Sequence, residues 1–398
     1  MITMDKLFIA SEDDIRNGYT MDVYFERTMR ILDAKGLSGM KVWAEFSAGS
    51  LPQGWPWAVF CGSEEVLRLM EGRDVDISAI PEGTIFRPRN GNSVRIPLMN
   101  IYGSYGSFGE METAALGMMC HPSGVATAAA RTKVAASGKN VIAFGNRRMH
   151  PAVSGVLDRS AYIGGCDAVS SRIGADIISR DPIGTVPHAL MLLIGSNEEA
   201  FKAFDETIEQ SVPRIMLIDT FSDERTAAVE ACKAVKDLKG VRLDTPGSRR
   251  GNFRELIQEI RWELDMNGFK DVEIIVSGGL NENSIRDIAD TSVSGFGVGT
   301  SISNAPTLDI SMDIVEKDGK AISKRGKFGG RKFTYRCPDC LSMNVSLSSN
   351  DDIKCTCGCA MKMIEETVMK CGRRTLKEKN PTVVREYVLK QLKQLKEL

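Results

Sequence analysis

The chain has 398 residues, of which 42% are hydrophobic and 26% charged, so we expect two or three domains with sizeable cores. Its 51 basic and 52 acidic side chains leave a formal net charge of -1, which argues against a general nucleic-acid or membrane-surface binder. No apolar run approaches the roughly 20 residues of a transmembrane helix, and the first residues lack the pattern of a signal peptide. We therefore expect a cytoplasmic protein without nucleic-acid or membrane partners.

Residues 1–110 mix short strands and helices without regular alternation, which indicates a separate N-terminal α/β domain. Strand-like pieces at 305–330 are expected to complete it. Asp22 and Tyr24 lie near the start of an amphipathic helix, where Asp22 has a simple structural interpretation as a first-turn charge favoured by the helix dipole. Residues 101–110 are rich in glycine, serine and aromatic residues and predict a linker or a mobile lid.

From residue 111 to 304 strands and helices alternate regularly. This spacing indicates parallel βα units, in a number closer to a barrel than to an open sheet. The reactive groups of such a barrel belong at the carboxyl ends of its strands. The polar residues that follow predicted strands are Asn146, Arg147, Arg148, Asp219, Asp244 and Ser277.

Two glycine-rich turns end neighbouring strands late in this region. The residues concerned are Ser277, Gly278, Gly279, Gly297, Gly299 and Thr300. Exposed amides beside a helix N-terminus, here one that Asn281 can cap, suit a phosphate dianion, and barrels carry such a site after their last two strands. Two tight turns of an ordinary α/β domain are the alternative interpretation.

The predicted barrel mouth also offers carboxylates, cations and one flat ring. Asp219 and Asp244 suit a polyhydroxylated or metal-bound substrate, since carboxylates accept hydrogen bonds from vicinal hydroxyls and stabilise positive charge on a sugar. Phe144 offers a ring to a flat substrate or belongs to the core, and His188 is the one of 3 histidines placed to reach the mouth. The arginines that bind a second phosphate group, or are solvated surface charges, are Arg147, Arg148, Arg249 and Arg250.

Residues 331–398 hold six of the 10 cysteines and end in a charged helix. Cys337-Pro-Asp-Cys340 and Cys355-Thr-Cys357 resemble two zinc-ribbon knuckles, whose four thiolates form a closed and therefore structural tetrahedral site. Cys359 or Cys371 could replace one of these ligands. We expect Zn²⁺, with iron in a rubredoxin-like site or no metal as alternatives.

Several short motifs occur in a specific order along nearly the whole chain. They are TMDVY, ETAALGMMCHPSGVAT, FGNRRMHP, GGCDAVSSRIGADII, GTVPHAL, LIDTF, VRLD and VSGGLNENSI. They resemble those of nicotinate phosphoribosyltransferases, in the archaeal-type branch with a cysteine-rich segment; the second is also similar to a stretch of quinolinate phosphoribosyltransferases.

The resemblance implies an irregular or incomplete (β/α) barrel of the type II phosphoribosyltransferase kind over residues 111–304. It further implies that the enzyme joins nicotinate to 5-phosphoribosyl-1-pyrophosphate with Mg²⁺, releases pyrophosphate and forms nicotinate mononucleotide for NAD biosynthesis, coupled to ATP hydrolysis. The implied assembly is a homodimer with shared active sites, or a hexamer built from such dimers.

The family's functional residues match positions of this chain. Phe144 and, from a neighbouring subunit, Tyr24 would enclose the pyridine ring, with Asp22 close by. His188 matches the histidine that ATP phosphorylates. The remaining matches are Arg147 and Arg242 for the pyridine pocket and its carboxylate, Asp219 and Asp244 for the ribose or magnesium pyrophosphate, and Ser277, Gly278, Gly279, Gly299 and Thr300 for the 5-phosphate.

Asp167 departs from this pattern. It falls where related nicotinamide-using enzymes place an aspartate, and a carboxylate there repels nicotinate unless Arg147 or Arg242 neutralises it. A nicotinamide- or quinolinate-using enzyme of the same fold therefore stays an alternative, although a dicarboxylate needs more basic residues. A zinc-ribbon nucleic-acid-binding protein with the barrel as scaffold is a third hypothesis, which the overall charge argues against.

Overall fold

Short apolar strands form in the first third of the chain, between amphipathic helices. The structure is a computed structural model that describes residues 7–396. The elements up to the long central helix are α1 (Glu12–Arg16), α2 (Val23–Ala34), β1 (Lys41–Ala48), β2 (Ala58–Val59), α3 (Ser63–Met70), β3 (Val75–Ala79), β4 (Ile85–Phe86), β5 (Pro97–Ser104), α4 (Tyr105–Phe108) and α5 (Glu112–Ala135).

Strands and helices then alternate as the sequence predicts. The next elements are β6 (Asn140–Ala143), α6 (Ser154–Gly164), β7 (Ala168–Val169), α7 (Arg172–Ile178), α8 (His188–Ile194), α9 (Asn197–Thr207), β8 (Ile215–Leu217), α10 (Glu224–Ala234), β9 (Gly240–Leu243), α11 (Phe253–Met266), β10 (Glu273–Val276), α12 (Glu282–Ile288), β11 (Gly295–Val298) and α13 (Thr300–Ser303).

The last part of the chain returns to short strands and ends in a helix. These elements are β12 (Ile310–Lys317), β13 (Lys320–Ala321), β14 (Phe333–Arg336), β15 (Met343–Ser346), β16 (Lys362–Met363), β17 (Glu366–Lys370), β18 (Arg373–Arg374) and α14 (Pro381–Lys396). None of the helices described between residues 7 and 396 is long and apolar enough to cross a membrane.

The contacts divide the chain into two units. Unit 1 comprises Met1–Thr127 and Pro306–Leu398, and unit 2 comprises Ala128–Ala305. The boundary observed at 127 lies beyond the one predicted at 110, because most of α5 belongs to unit 1. A strand from residues 305–330 completes the sheet of the first part, in line with the sequence, but the segment from 331 onward is not separate, because β17 enters the same sheet. β12 pairs antiparallel with β1, and β17 pairs antiparallel with β3, in a seven-stranded sheet of order β13-β12-β1-β5-β3-β17-β18.

Unit 2 is built on a parallel sheet of six strands in the order β7-β6-β11-β10-β9-β8. The first strand, β6, pairs with the last, β11, so the order is that of a barrel, but β7 and β8 do not pair within the described residues. Residues 180–187 have no regular structure and lie beside β7, where Ile183 N–H donates to the carbonyl of Val169 at 2.9 Å. The α/β class is therefore confirmed, with a parallel sheet that closes only in part.

Polar caps explain where the helices of unit 2 begin. The side chains of Ser171, Ser196, Asp223, Asn252 and Asn281 each accept a hydrogen bond from a backbone N–H in the first turn of the following helix. Such caps satisfy donors that the helix itself leaves unpaired. Most of these helices follow a strand after a short loop, which brings the loops at the carboxyl ends of the strands together.

Candidate active site

A cavity of about 680 Å³ opens at the carboxyl ends of the strands of unit 2. It is lined mainly by residues that follow β6, β9, β10 and β11, the place where parallel barrels hold their reactive groups. The predicted site residues that it brings together are Phe144, Arg147, Arg148, His188, Arg242, Asp244, Ser277, Gly278, Gly279, Gly299 and Thr300. Asp219 lies behind His188, with 3.7 Å between its Oδ2 and the histidine Nε2.

The turn after β10 forms the cradle that its glycines predict. Gly278 and Gly279 have φ angles of +86° and +65°, which side chains other than glycine rarely adopt. The backbone N–H groups of Gly278, Gly279 and Leu280 have no hydrogen-bond acceptor among the described residues. Asn281 caps the following helix as predicted, and its side chain accepts from the N–H groups of residues 283 and 284, so these two amides are already paired. The amides left for an anion are therefore those of the glycine turn.

His188 faces two carboxylates at the first turn of α8. Its Nδ1 lies 3.0 Å from Oγ1 of Thr220, and its Nε2 lies 3.7 Å from an oxygen of Asp219 and from one of Asp244. Asp244 also accepts from the hydroxyl of Ser277 at 2.7 Å. The hydroxyl of Thr220 therefore fixes Nδ1, while Nε2 faces the two carboxylates.

Asp219 is a buried carboxylate without a hydrogen-bond partner. Its side chain is 2% exposed, and neither oxygen is hydrogen-bonded within the described residues. Burial raises its pKa, with His188 opposing the rise and Asp244 adding to it. Buried charged groups are normally paired or bind a metal, so this carboxylate indicates a missing cation or donor.

Arg242 and Phe144 form the flat end of the cavity. The guanidinium carbon lies 6.0 Å from the centroid of the Phe144 ring, and Nη2 lies 4.0 Å from Asp244 Oδ2. The Nε of Arg242 is buried without a partner, and burial lowers the pKa of this arginine. A guanidinium with unused donors beside an aromatic ring can bind the carboxylate of a planar ligand.

Arg147 and Arg148 are exposed in a 3-10 turn, Asn146–Arg148, directly after β6. Asn146 fixes this turn by donating to Asp158 Oδ1 at 2.8 Å, and the other oxygen of Asp158 accepts from the backbone N–H of Ser171 at 3.2 Å. The loops after β6 and β7 are thereby joined through one buried carboxylate.

The two other arginines are not brought into the cavity. Arg249 is exposed, and Arg250 donates to the carbonyls of Thr245 and Gly278 and stacks 4.4 Å from the centroid of the Phe253 ring. The donors of Arg250 thus hold the glycine turn, which gives it a structural role where the sequence suggested a phosphate ligand.

The prediction for Asp167 is wrong. Its carboxylate accepts from Lys133 Nζ at 2.6 Å and from the backbone N–H of Val141, at the start of β6, at 2.8 Å. It therefore lies at the amino ends of the strands, away from the carboxyl ends that form the cavity. At the carboxyl end of β7 the residue that lines the cavity is Ser170.

Asp22 and Tyr24 belong to unit 1. Asp22 precedes α2 but makes no capping bond there; its side chain instead accepts from the hydroxyl of Thr113 at 3.1 Å. Tyr24 is 56% exposed, and its ring lies 4.4 Å from that of Phe25. An exposed aromatic ring beside a carboxylate is available to a ligand or a second subunit.

Sequence analysis missed Thr220 and Asp158. Thr220 follows Asp219 in the motif LIDTF, and only the distance to His188, 32 residues earlier, reveals its contact. Asp158 carries a weak signal, since it is an acidic residue on the buried face of α6 beside Leu157 and Ala161.

Four cysteines of unit 1 form the predicted group. The Sγ atoms of Cys337, Cys340, Cys355 and Cys357 all lie within 4.8 Å of one another. The sulfurs of a tetrahedral zinc site with 2.3 Å bonds are about 3.8 Å apart, so a metal ion fits. Cys359 is directed at Asp339, with 2.7 Å between its Sγ and Oδ2 of that carboxylate, and Cys371 lies outside the group.

Comparison with known proteins identifies both parts of the chain. Residues 22–123 match the family model "Quinolinate phosphoribosyl transferase, N-terminal domain", and residues 125–313 match the model of the C-terminal domain of the same family. A crystal structure of nicotinate-nucleotide pyrophosphorylase from Pyrococcus furiosus is 46% identical in sequence, covers 99% of both chains and has a TM-score of 0.93.

Two more distant proteins extend the comparison. Nicotinate phosphoribosyltransferase pncB1 of Mycobacterium tuberculosis is 33% identical over an alignment of 275 positions, which covers 66% of this chain and 59% of that relative's length. The crystal structure of human nicotinic acid phosphoribosyltransferase shares 16% identity, covers 94% of both chains and has a TM-score of 0.74, a likeness of fold.

Proposed function

We propose that this chain, which belongs to the quinolinate phosphoribosyl transferase family, joins nicotinate to 5-phosphoribosyl-1-pyrophosphate, forming nicotinate mononucleotide and pyrophosphate in NAD biosynthesis. The observation that carries the proposal is one cavity that combines a glycine cradle, a carboxylate-histidine group and an arginine beside an aromatic ring. The reaction needs all three, because the substrate phosphate must be clamped, positive charge develops on the sugar, and the ring nitrogen must be oriented.

The 5-phosphate occupies the glycine cradle in this proposal. The free N–H groups of Gly278 and Gly279 support it, together with Ser277, Gly299 and Thr300 on the same wall. Backbone amides at a turn bind phosphate without a side chain that has to be ordered. The donor Arg250 keeps the turn in place through the Gly278 carbonyl.

Asp219 and Asp244 hold the ribose hydroxyls or a magnesium ion. Both oxygens of Asp219 lack partners, and oxygen ligands are those that Mg²⁺ prefers, so the donor set fits the ion. The ion that these carboxylates would hold would supply positive charge to neutralise the leaving pyrophosphate. The fixed carboxylates stabilise the positive charge that the sugar gains during the same step.

Nicotinate binds between Phe144 and Tyr24 of a partner subunit, with its carboxylate on Arg242 and Arg147. The exposure of Tyr24 supports a shared site, and the unused donors of Arg242 support recognition of an acid. Asp167 does not oppose this, because Lys133 binds it at the other end of the strands. The assembly we propose is a homodimer, or a hexamer of such dimers.

His188 accepts the γ-phosphoryl group of ATP on a ring nitrogen, and ADP leaves. Thr220 holds Nδ1, which directs Nε2 towards the substrates and the two carboxylates. Hydrolysis of this phosphohistidine during the cycle drives the equilibrium towards mononucleotide. Replacement of His188 by alanine should abolish the effect of ATP and spare slow transfer without ATP; equal loss of both activities would contradict the assignment.

Zinc at the four-cysteine group is a structural ion in this proposal, because four thiolates leave no open position for a substrate. We expect Cys337→Ser to release zinc and lower the melting temperature, without a change of substrate affinity in the folded fraction. Cys371→Ser, outside the group, is the control. A variant that keeps its zinc and melting temperature would contradict the proposal.

The function is tested by mass spectrometry of products from purified protein, Mg²⁺ and phosphoribosyl pyrophosphate. Nicotinate, nicotinamide and quinolinate are supplied separately, each with and without ATP. We expect mononucleotide from nicotinate, in larger yield with ATP. Product from nicotinamide or quinolinate alone would overturn the assignment of the pyridine pocket.

A further inference from the structure

A second cavity lies in unit 1, between the loop after β4 and the cysteine-containing segment. Its volume of about 340 Å³ lies at the lower end of the range for small-molecule sites, roughly 300–1,000 Å³. Arg87, Arg89 and Lys354 line it together with Trp57, and its lining contains no carboxylate. We name it the basic cleft, and nothing in the proposed transfer reaction uses it.

The cations of the basic cleft are unpaired. Other basic residues of unit 1 form ion pairs, such as Arg68 with Glu378 and Arg374 with Glu64, but Arg87, Arg89 and Lys354 form none within the described residues. In a chain with 51 basic and 52 acidic side chains, three cations around a cavity without one carboxylate create a local positive potential.

A buried cation lies behind the wall of the cleft. Arg336 is 6% exposed, and its guanidinium donates to the side chains of Gln391 and Tyr387 and to the carbonyl of Ile85, which lines the cleft. None of these acceptors is a carboxylate, so its charge is not neutralised by a partner. It adds to the positive potential of the cleft.

The walls of the cleft are preformed. Asn90 Oδ1 accepts from the backbone N–H groups of Asn92 and Val94, which closes the turn that directly follows both arginines. Asn90 Nδ2 donates to Asn344 Oδ1 at 2.8 Å and so joins this turn to strand β15. Arg89 Nη1 donates to the Ser93 carbonyl at 2.9 Å. A ligand would therefore meet fixed walls, which lowers the entropy cost of binding.

The cysteine group alone does not account for these charges. Two of its members, Cys340 and Cys355, line the cleft, and four thiolates with one Zn²⁺ carry a net charge of about -2. The three cations of the cleft and Arg336 exceed this. We propose that the basic cleft binds a small phosphate-bearing anion, either a nucleotide or free polyphosphate, at a site separate from the barrel cavity.

Hydrogen–deuterium exchange of the full-length, zinc-loaded protein tests the proposal at the site itself. The probes are ADP and inorganic tripolyphosphate, added separately. We expect slower exchange in peptides covering 87–95 and 353–361, whatever either probe does at the barrel cavity. Unchanged exchange in both segments would overturn the proposal.

Charge reversal supplies the matched comparison. The variant Arg87→Glu/Lys354→Glu should lose the protection and bind the probe at this site at least about tenfold more weakly, since each removed cation becomes a repelling charge. The control Lys236→Glu/Lys270→Glu reverses the charge of two exposed lysines of unit 2, so its net charge changes equally. It should keep the protection from exchange in the cleft. Both variants should retain the basal transfer rate. A contrary outcome combines two results: the charge-reversed protein releases zinc, and the wild type shows no anion-dependent protection. The cations would then serve only to balance the negative charge of the thiolates.

The variant Trp57→Leu distinguishes a nucleotide from free polyphosphate as the bound anion. A loss of affinity for ADP alone identifies a nucleotide whose base contacts the indole, whereas unchanged affinity for both probes identifies free polyphosphate. A single-stranded oligothymidylate that protects residues far beyond the cleft, more strongly than ADP does, would replace the proposal with nucleic-acid binding.

Discussion

His188 is constrained on both sides of its ring, and this determines what neighbouring substitutions do. One nitrogen contacts the hydroxyl of Thr220, and the other lies equally far from Asp219 and Asp244. The first contact selects the orientation of the ring and the second places it beside negative charge. Thr220 is thus a positioning residue under the proposed function.

Thr220→Val should weaken the effect of ATP more than transfer without ATP. A lost hydrogen bond of this kind is worth about 1 kcal/mol, which corresponds to roughly a fivefold reduction in ATP stimulation. The measurement is the initial rate with and without ATP over a range of pH. Thr220→Ser keeps the hydroxyl and serves as the control. Equal loss of both rates in the valine variant would assign Thr220 to the transfer step or to folding.

Asp219 is destabilising for the protein without ligands. Because burial raises its pKa above its ordinary value of 3.8, the native state binds more protons than the unfolded chain at pH values between the ordinary and the raised pKa. Stability therefore falls as pH rises from about 4 through the raised native pKa, and stays lower above it. A carboxylate that costs stability is expected where function needs it.

Asp219→Asn should raise the melting temperature at neutral pH and abolish transfer. Removal of the buried charge is worth about 1 kcal/mol, or about 2–4 °C for a unit of this size. The measurement is thermal unfolding from about pH 4 to pH 8, where the variant should lose part of the pH dependence. Asp237→Asn, at an exposed position, should change neither property. A lower melting temperature in Asp219→Asn would contradict the proposed cost.

The sequence could identify a site residue where that residue follows the carboxyl end of a recognisable strand. Phe144, Arg147 and Asp244 follow strands directly, so a parallel sheet brings them together. Asp167 failed because β7 has only two residues, and the sequence did not show at which end of the strand the carboxylate lies. Thr220 could not be identified, because its role depends on a contact with a helix start 32 residues away.

At the scale of elements, the turn after β10 shows how backbone conformation creates a site. Its glycines adopt positive φ, a conformation that costs other residues about 1 kcal/mol, and their N–H groups have no acceptor within the described residues. A Cβ on Gly278 would also lie 2.9 Å from the carbonyl oxygen of Asp244. Strain and crowding can be separated, because Gly268 has nearly the same φ, +89°, and open space around it.

Gly278→Ala should raise the KM for phosphoribosyl pyrophosphate by about tenfold or more, since the turn must move away from Asp244 to accommodate the methyl group. Gly268→Ala should cost a similar amount of stability, about 1 kcal/mol, without a change in KM. Initial rates over a range of substrate and thermal melting of both variants decide the matter. The same KM change in both would mean that the cradle does not bind the phosphate.

The order of helices and strands was easier to predict than the closure of the parallel sheet into a barrel. Helix caps such as Asn281 and the buried apolar run of β10 are local signals, and they predict the observed alternation of strands and helices. No local sequence signal predicts the opening between β7 and β8, because the irregular residues 180–187 look like an ordinary connection between two elements. Likewise β17 gave no sign that it would pair with β3, almost 300 residues earlier.

At the scale of the whole molecule, the proposed site is divided between chains. Phe144 and the carboxylates lie in unit 2, whereas Tyr24 is an exposed residue of unit 1 that the proposal assigns to the partner's site. In a twofold dimer each subunit then gives its Tyr24 and receives the other. Two different inactivating substitutions, one in each chain, would therefore fall together in one site and leave the second site intact.

Mixed dimers of Tyr24→Ala and Asp244→Ala should regain activity that neither variant has alone. With random pairing half of the dimers are mixed and each has one intact site, so the mixture should reach about a quarter of the wild-type rate. The variants are denatured together, refolded with zinc and assayed against each variant refolded alone. Tyr19→Ala, also at an exposed tyrosine of unit 1, should stay active without a partner. If the mixture gives only the mean of its two parents, Tyr24 serves its own subunit or none, and the site is contained in one chain.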